Sequence, residues 1–197
     1  MTGLMSGKRG LIMGLANDKS LAWGISKQLG EQGAELAFSY QGEALEKRVR
    51  PLAMELGSDI LIECDVSSND ALDQAFAELA KKWDGLDFIV HAIGFSDKNE
   101  LRGGYVDTSL ENFLMTMNIS VYSFCAVAQR ARRMMKPGGS LLTLSYYGAE
   151  KVIPHYNVMG VAKAALIALT RTPSGPRSAA RYLTDVSSAA LATPMTL

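Results

Sequence analysis

Tyr156 and Lys163 stand seven residues apart in a segment of helical period, so two turns return them to nearly the same helix face. A phenol with a reference pKa near ~10 is a poor proton relay at neutral pH unless a neighbouring cation favours its ionised form. The spacing therefore predicts a tyrosine whose chemistry a lysine assists. Ten residues upstream, Tyr146 ends a short apolar run and offers a second phenol, while Tyr147 alternates to the opposite side. Lys151 and His155 read as solvated loop residues. The same tyrosine and lysine are equally what two unrelated helix residues look like, so their weight depends on the elements that place them.

Those elements follow a regular alternation. Short apolar runs exchange with longer stretches of helical period, the pattern of βαβ units feeding a parallel sheet. Strands are predicted over Lys8–Gly14, Ala34–Tyr40, Asp59–Cys64, Leu86–Ile93 and Ser140–Tyr146. Helices are predicted over Leu21–Gly33, Glu43–Leu56, Asp70–Trp83, Leu110–Met135 and Tyr156–Thr170, with Lys136-Pro137-Gly138-Gly139 read as the break after the fourth. The expected fold class is α/β, a Rossmann-type doubly wound parallel sheet in one domain spanning 1–197. Its ligand crevice lies beyond the carboxyl ends of the strands. Residues 170–197, rich in Ser, Ala, Arg, Pro and Thr, show no legible strand and are left as an unassigned tail.

Composition excludes several classes. Twenty Lys and Arg balance twenty Asp and Glu, which leaves no long-range field to gather nucleic acid or an anionic membrane. Two histidines, His91 and His155, are too few for a His-based metal site and argue against a Ser-His hydrolase. Cys64 and Cys125 each lie in an apolar stretch and read as buried free thiols of a reducing compartment. Neither a signal-peptide run nor a membrane-length apolar run is present, so a cytoplasmic location without a membrane span is expected.

The strand-to-helix junctions carry the ligand chemistry. After the first strand, Gly14-Leu15-Ala16-Asn17-Asp18-Lys19-Ser20 leads into a helix whose free N–H groups and dipole favour a diphosphate, with Ser20 as its N-cap. This is not a Gly-x-Gly-x-x-Gly string, and an ordinary βα turn reads the same way. After the second strand, where an acid usually holds the adenosine ribose of a bound dinucleotide, stands Gln41. An amide does not repel a 2′-phosphate, yet no arginine adjoins it to attract one, so NADH is preferred over NADPH. Asp65, after the third strand, either accepts from the adenine amino group or serves as a cap or turn residue. His91-Ala92-Ile93-Gly94-Phe95 offers small groups where the nicotinamide half should lie.

Taken together these residues resemble the bacterial enoyl-acyl-carrier-protein reductases of the short-chain dehydrogenase/reductase superfamily, from about Gly3 to Leu169. The specific strings are Gly14-x5-Ser20-x-Ala22-x-Gly24, Gly33-Ala34-Glu35-Leu36-Ala37-Phe38, Ile93-Gly94-Phe95, Leu141 to Tyr146 and, above all, Tyr156-Asn157-Val158-Met159-Gly160-Val161-Ala162-Lys163. The resemblance implies NADH-dependent reduction of trans-2-enoyl thioesters on acyl carrier protein in fatty-acid synthesis, by a homotetramer. It implies Tyr146, Tyr156 and Lys163 as the catalytic set and Gly14, Ser20, Leu21, Gln41, Asp65, Val66, Ile93 and Lys163 as dinucleotide contacts. Ser96, Tyr146 and Tyr156 would lie beside the acyl substrate. Ketoreductases of the superfamily carry a serine thirteen residues before the tyrosine; here Thr143 stands there, buried in its strand, which favours enoyl over carbonyl reduction.

The family's two further strands and substrate lid are not legible, so the C-terminal strands are expected to be missing or altered. Ser178–Ala189 faintly resembles a late helix and Ala192–Leu197 a lid entrance. Two alternatives stay open: a dinucleotide-binding module without catalysis, and a 3-oxoacyl ketoreductase of the same superfamily.

Overall fold

Alternation along each strand dictates how its side chains are shared between two helical layers. On β1 (Arg9–Met13) Leu11 and Met13 face one layer and Ile12 the other; on β2 (Glu35–Tyr40) Ala37 opposes Leu36 and Phe38 in the same way. The computed structural model describes residues 3–171 and the backbone of 181–185. With β3 (Leu61–Glu63), β4 (Leu86–His91), β5 (Met135–Leu144) and β6 (Arg181–Asp185), these strands form one sheet in the order β3-β2-β1-β4-β5-β6, every pair parallel.

Helices cover both faces. Ala22 and Trp23 of α1 (Leu21–Glu31) and Val49 and Ala53 of α2 (Gly42–Glu55) pack with Ile12, Phe38 and Val90 on one side. On the other, Leu72 and Leu79 of α3 (Asn69–Lys82) join Phe124 and Val127 of α5 (Ser123–Ala131) and Leu166 of α6 (Asn157–Arg171). The chain passes from β3 at one edge back to β4 beside β1, and this reversal of strand order opens a crevice at their carboxyl ends. Met13 and His91, register partners there, mark its floor.

The doubly wound α/β expectation holds, and three local expectations do not. The long fourth helix is α4 (Leu110–Met117), a π-turn over Asn118–Tyr122, and α5, which ends at Ala131. Lys136-Pro137-Gly138-Gly139 is not a helix stop but a bulge inside β5. Leu86 pairs with Met135 and Phe88 with Ser140, so four residues bow out opposite Asp87 alone. Gly138 takes φ +83° there, and the breakers that end helices serve bulges equally well. Finally, 181–185 of the unassigned tail is extended, continuing the sheet in register from Ser140↔Arg181 to Leu144↔Asp185, which corrects the late-helix reading at those positions. Thr170 and Arg171 close α6 rather than opening the tail. The lid-entrance reading at 192–197 lies outside the described residues.

Cys64 is buried as expected, and burial pushes its thiol up to about 11; Cys125 is instead exposed on α5. Among the described residues no helix is long and apolar enough to cross a membrane.

Candidate active site

The first junction depends on glycine. Gly14 sits at φ +95°, and a Cβ there would lie 2.2 Å from the Ala92 carbonyl oxygen, so only a glycine lets the two crevice-floor strands approach. Asn17 organises the loop that follows: its side chain accepts from the Lys19 N–H at 2.9 Å and its carbonyl from the Ser20 hydroxyl at 2.7 Å. Ser20 occupies the N-cap position but makes no side-chain cap, which corrects the capping expectation. Its hydroxyl satisfies the loop, and the first N–H groups of α1 are left to a ligand. No acidic residue stands in that helix's first turn, so its positive end is not neutralised from within. Leu21, the first helical residue, is exposed on the rim.

Gln41 is the N-cap of α2 and exposed, again without a side-chain cap. Asp65 resolves its two readings partly toward structure: one carboxylate oxygen accepts from both the N–H and the hydroxyl of Ser67, at 2.9 and 2.7 Å. Val66 is buried in the α3-side core, so only its backbone is left to meet a ligand. Ile93 packs against the same core and would stand 3.1 Å from a Cβ at Gly14.

Around the catalytic pair the chain closes tightly. The Tyr156 carbonyl accepts the first helical hydrogen bond, from the Gly160 N–H at 2.9 Å, so the tyrosine stands at the mouth of α6 and Lys163 lies two turns inside. The Lys163 ammonium donates to the Leu144 carbonyl at the end of β5, at 2.9 Å. Two residues on, the Tyr146 ring meets the Tyr156 ring edge to face, with centroids 4.9 Å apart. Tyr147 turns outward at the start of a short 3₁₀ turn, as alternation required. Lys163 is buried, and desolvation alone lowers its pKa from 10.5 to about 8.

Lys163, expected to ease ionisation of Tyr156, gives its ammonium to the Leu144 carbonyl. Burial, then the neighbouring Tyr146, push the Tyr156 phenol well above its ordinary value, and Lys163 has no part in that shift. At neutral pH Tyr156 is therefore a neutral O–H donor. Ser96 also departs from expectation: its buried hydroxyl donates to Asn112 Oδ1 at 3.2 Å and accepts from the Thr116 hydroxyl at 2.8 Å, which turns the side chain into α4 and leaves only its backbone for the crevice. Thr143 is fully buried and donates to the His91 carbonyl at 3.1 Å, as read.

Several positioning features had weak sequence signals. A Cβ at Gly148 would stand 2.4 Å from Tyr156 Cδ1 and 3.3 Å from Tyr146 Cδ1; this glycine is the seat of both rings. His155 holds φ +60°, the one non-glycine in that region among the described residues, and thereby swings Tyr156 into the crevice. Asn157 donates to the carbonyls of Glu100 and Gly103, tying the loop after β4 to α6. Within the π-turn, the Ser120 hydroxyl bonds both the N–H and the carbonyl of Phe95. A helix that widens here for one turn is how α4 and α5 grip that loop. His91 is wholly buried against Phe124, and because the Ser123 hydroxyl already donates to the Ile119 carbonyl, His91 Nε2–H donates to Ser123 at 2.9 Å. Burial and the Lys163 charge lower its pKa to about 3, so it is a neutral spacer and not an acid or base.

Comparison with known proteins places this geometry. Residues 14–175 match the family model described as enoyl-(acyl carrier protein) reductase. The chain is 63% identical over 170 residues to enoyl-[acyl-carrier-protein] reductase [NADH] 1 of Rhizobium meliloti, covering 86% of this chain and 62% of that protein. Enoyl-[acyl-carrier-protein] reductase [NADH] FabI of Rickettsia bellii is 54% identical, with 86% of this chain and 65% of that protein covered. Among solved structures, the enoyl-acyl-carrier-protein reductase of Anaplasma phagocytophilum in complex with NAD superposes with a TM-score of 0.84 at 59% identity, over 87% of this chain and 65% of that one. The chain thus spans somewhat less than two thirds of the length of these relatives, and over that span the family match and the fold agree that it belongs to the enoyl-(acyl carrier protein) reductase family.

Proposed function

We propose that this chain reduces trans-2-enoyl thioesters carried on acyl carrier protein, with NADH as reductant, in fatty-acid synthesis. The observation that carries the reading is Tyr156, a buried phenol held ring to ring with Tyr146, 4.9 Å between centroids, at the mouth of the crevice. The residues present fit a dinucleotide. A Cβ at Gly14 would strike Ala92, and one at Gly94 would sit 3.3 Å from the Lys163 ammonium, so both glycines keep a backbone-lined path open across the switch point. Gly14, Ser20 and Leu21 would hold the diphosphate, Gln41, Asp65 and Val66 the adenosine, and Ile93 and Lys163 the nicotinamide riboside. The bound cofactor supplies the hydride that adds to the β-carbon of the enoyl group.

As that hydride adds, negative charge grows on the thioester oxygen. A fixed O–H donor in a dry site stabilises such charge more than mobile water does, and Tyr156 is that donor. Tyr146 keeps its ring in place, and the Ser96 backbone would lie beside the acyl chain. Because Thr143 is spent on His91, no hydroxyl is offered at the position where carbonyl reducers carry one.

Assembly as a homotetramer is part of the same proposal. Leu110 and Leu114 share one exposed face of α4, α6 beside it exposes Val161, and such apolar surface favours contact with further copies. Sedimentation equilibrium giving only monomer would contradict it.

Consumption of NADH with crotonyl thioester but not with acetoacetyl thioester is the expected outcome. Preference for the acetoacetyl substrate would make the chain a ketoreductase, and NADH binding without turnover of either would leave a dinucleotide-binding module.

A further inference from the structure

Where β2 ends, the fold places the group that judges the adenosine ribose: an acid there favours a free 2′-hydroxyl, an arginine a 2′-phosphate. Gln41 carries no charge and cannot decide by electrostatics, so its surroundings must. Tyr40, just before it, is half-buried, and its charged neighbours are Glu46 and Arg50 on α2 and Glu63 at the end of β3. Arg50 is the cation among these neighbours, and its guanidinium is ion-paired to Glu46 one helical turn away. Lys47 is likewise held by Glu43, at 2.6 Å. Arg48, two residues from both Glu46 and Arg50, points to the other side of the helix. Two carboxylates against one arginine leave this corner net negative.

We propose that Glu46 sets the dinucleotide selectivity of this chain: by pairing with Arg50 and adding its own charge beside Tyr40, it admits a ribose 2′-hydroxyl and turns away a 2′-phosphate. The inference rests on the dinucleotide reading above and deepens it. Both outcomes are compatible with the fold itself. The Anaplasma phagocytophilum relative was solved with NAD, whereas a Bacillus cereus enoyl-acyl carrier protein reductase, 42% identical with a TM-score of 0.83, was solved with NADP+. Selectivity must therefore come from side chains such as these. A phosphate monoester brings about 1.5 to 2 negative charges at neutral pH. Removing one unit charge within about 8 Å changes affinity for such a group on the order of tenfold at an effective dielectric of roughly 40 to 80, the range of a solvated surface site.

The test uses the 197-residue chain and two probes of the adenosine half alone, ADP-ribose and 2′-phospho-ADP-ribose, titrated by calorimetry. Wild type should bind ADP-ribose at least tenfold more tightly, on the order of the charge effect above. Glu46→Gln should narrow that ratio by roughly tenfold, Arg50→Gln should widen it, and Glu46→Gln with Arg50→Gln should restore discrimination, because the freed arginine is gone. A purely structural role for the pair would move both ligands together and leave the ratio fixed. An unchanged ratio in Glu46→Gln, or a double variant as permissive as the single, would overturn the role of Glu46 while leaving the dinucleotide reading standing. Failure of wild type to bind either probe would overturn that reading and this inference with it.

Discussion

The adenosine side of the crevice and the catalytic side are built from different materials. On the adenosine side, from β1 to β3, the strand ends present mostly backbone, with Gln41 and Asp65 as the polar side chains: a glycine at φ +95°, the open end of α1, and a valine whose side chain is committed to the core. On the catalytic side, from β4 to α6, they are side chains that need support of their own. Tyr156 rests on Gly148 and Tyr146, Lys163 on the Leu144 carbonyl, and the loop after β4 on Ser120, Asn112 and Asn157. Binding is thus a property of where the strands end, while chemistry depends on a chain of contacts among four elements. The two should therefore fail separately.

Gly14→Ala should break the adenosine side with the largest effect. A non-glycine at positive φ costs about 1–3 kcal/mol, and overlap with the Ala92 oxygen adds to it, so a fall in Tm of roughly 10 °C and loss of measurable ADP-ribose binding are expected. Gly148→Ala should break the catalytic side alone. Its Cβ displaces the Tyr156 ring, and a misplacement of about 1 Å is worth roughly a hundredfold in turnover, with ADP-ribose titration unaltered. Equal loss of binding and turnover in that variant would mean the two sides are one unit.

Smaller effects follow from buried charges. The folded-state pKa of Lys163 is depressed to about 8 from 10.5, so the unfolded chain binds the extra proton between those values and wild-type stability should climb across that window. Lys163→Met should lose this climb in thermal melts at stepped pH and also weaken NADH by about ten- to a hundredfold, the worth of a charge-assisted hydrogen bond. His91, depressed from 6.5 to about 3, contributes stability above pH 6.5 that is lost as pH falls through about 3. His91→Gln should flatten that acid limb; an unchanged acid limb would mean another group controls it.

The same division explains what the sequence disclosed. Strands β1 to β4 and helices α1 to α3 were legible within a few residues, because period and turn chemistry are local. Their junction residues follow from where strands stop, and Gly14, Gln41, Asp65 and Ile93 do stand just beyond the ends of β1 to β4. Helix spacing likewise put Tyr156 and Lys163 on one face. What local reading could not give was contact across elements. The Ser96 hydroxyl looked like a substrate group because nothing nearby in sequence shows Asn112 and Thr116 claiming it. Lys163 looked like a cation for Tyr156 because spacing fixes a shared face but not which acceptor the ammonium chooses, and it chooses Leu144. Gly148 carries no local signal of the two rings it seats, and Lys136–Gly139 reads as a helix end because the same residues serve bulges. Strand β6 has little apolar alternation to announce it; pairing with β5 makes it a strand.

Most direct of all is single-turnover reduction of crotonyl thioester by wild type and Tyr156→Phe, each saturated with NADH. The neutral phenol donates one hydrogen bond to the developing enolate, so its removal should slow the chemical step by about a hundred- to a thousandfold while NADH affinity stays within about threefold. A Tyr156→Phe variant that reduces crotonyl thioester at the wild-type rate would show that the site at the mouth of α6 does not do this chemistry.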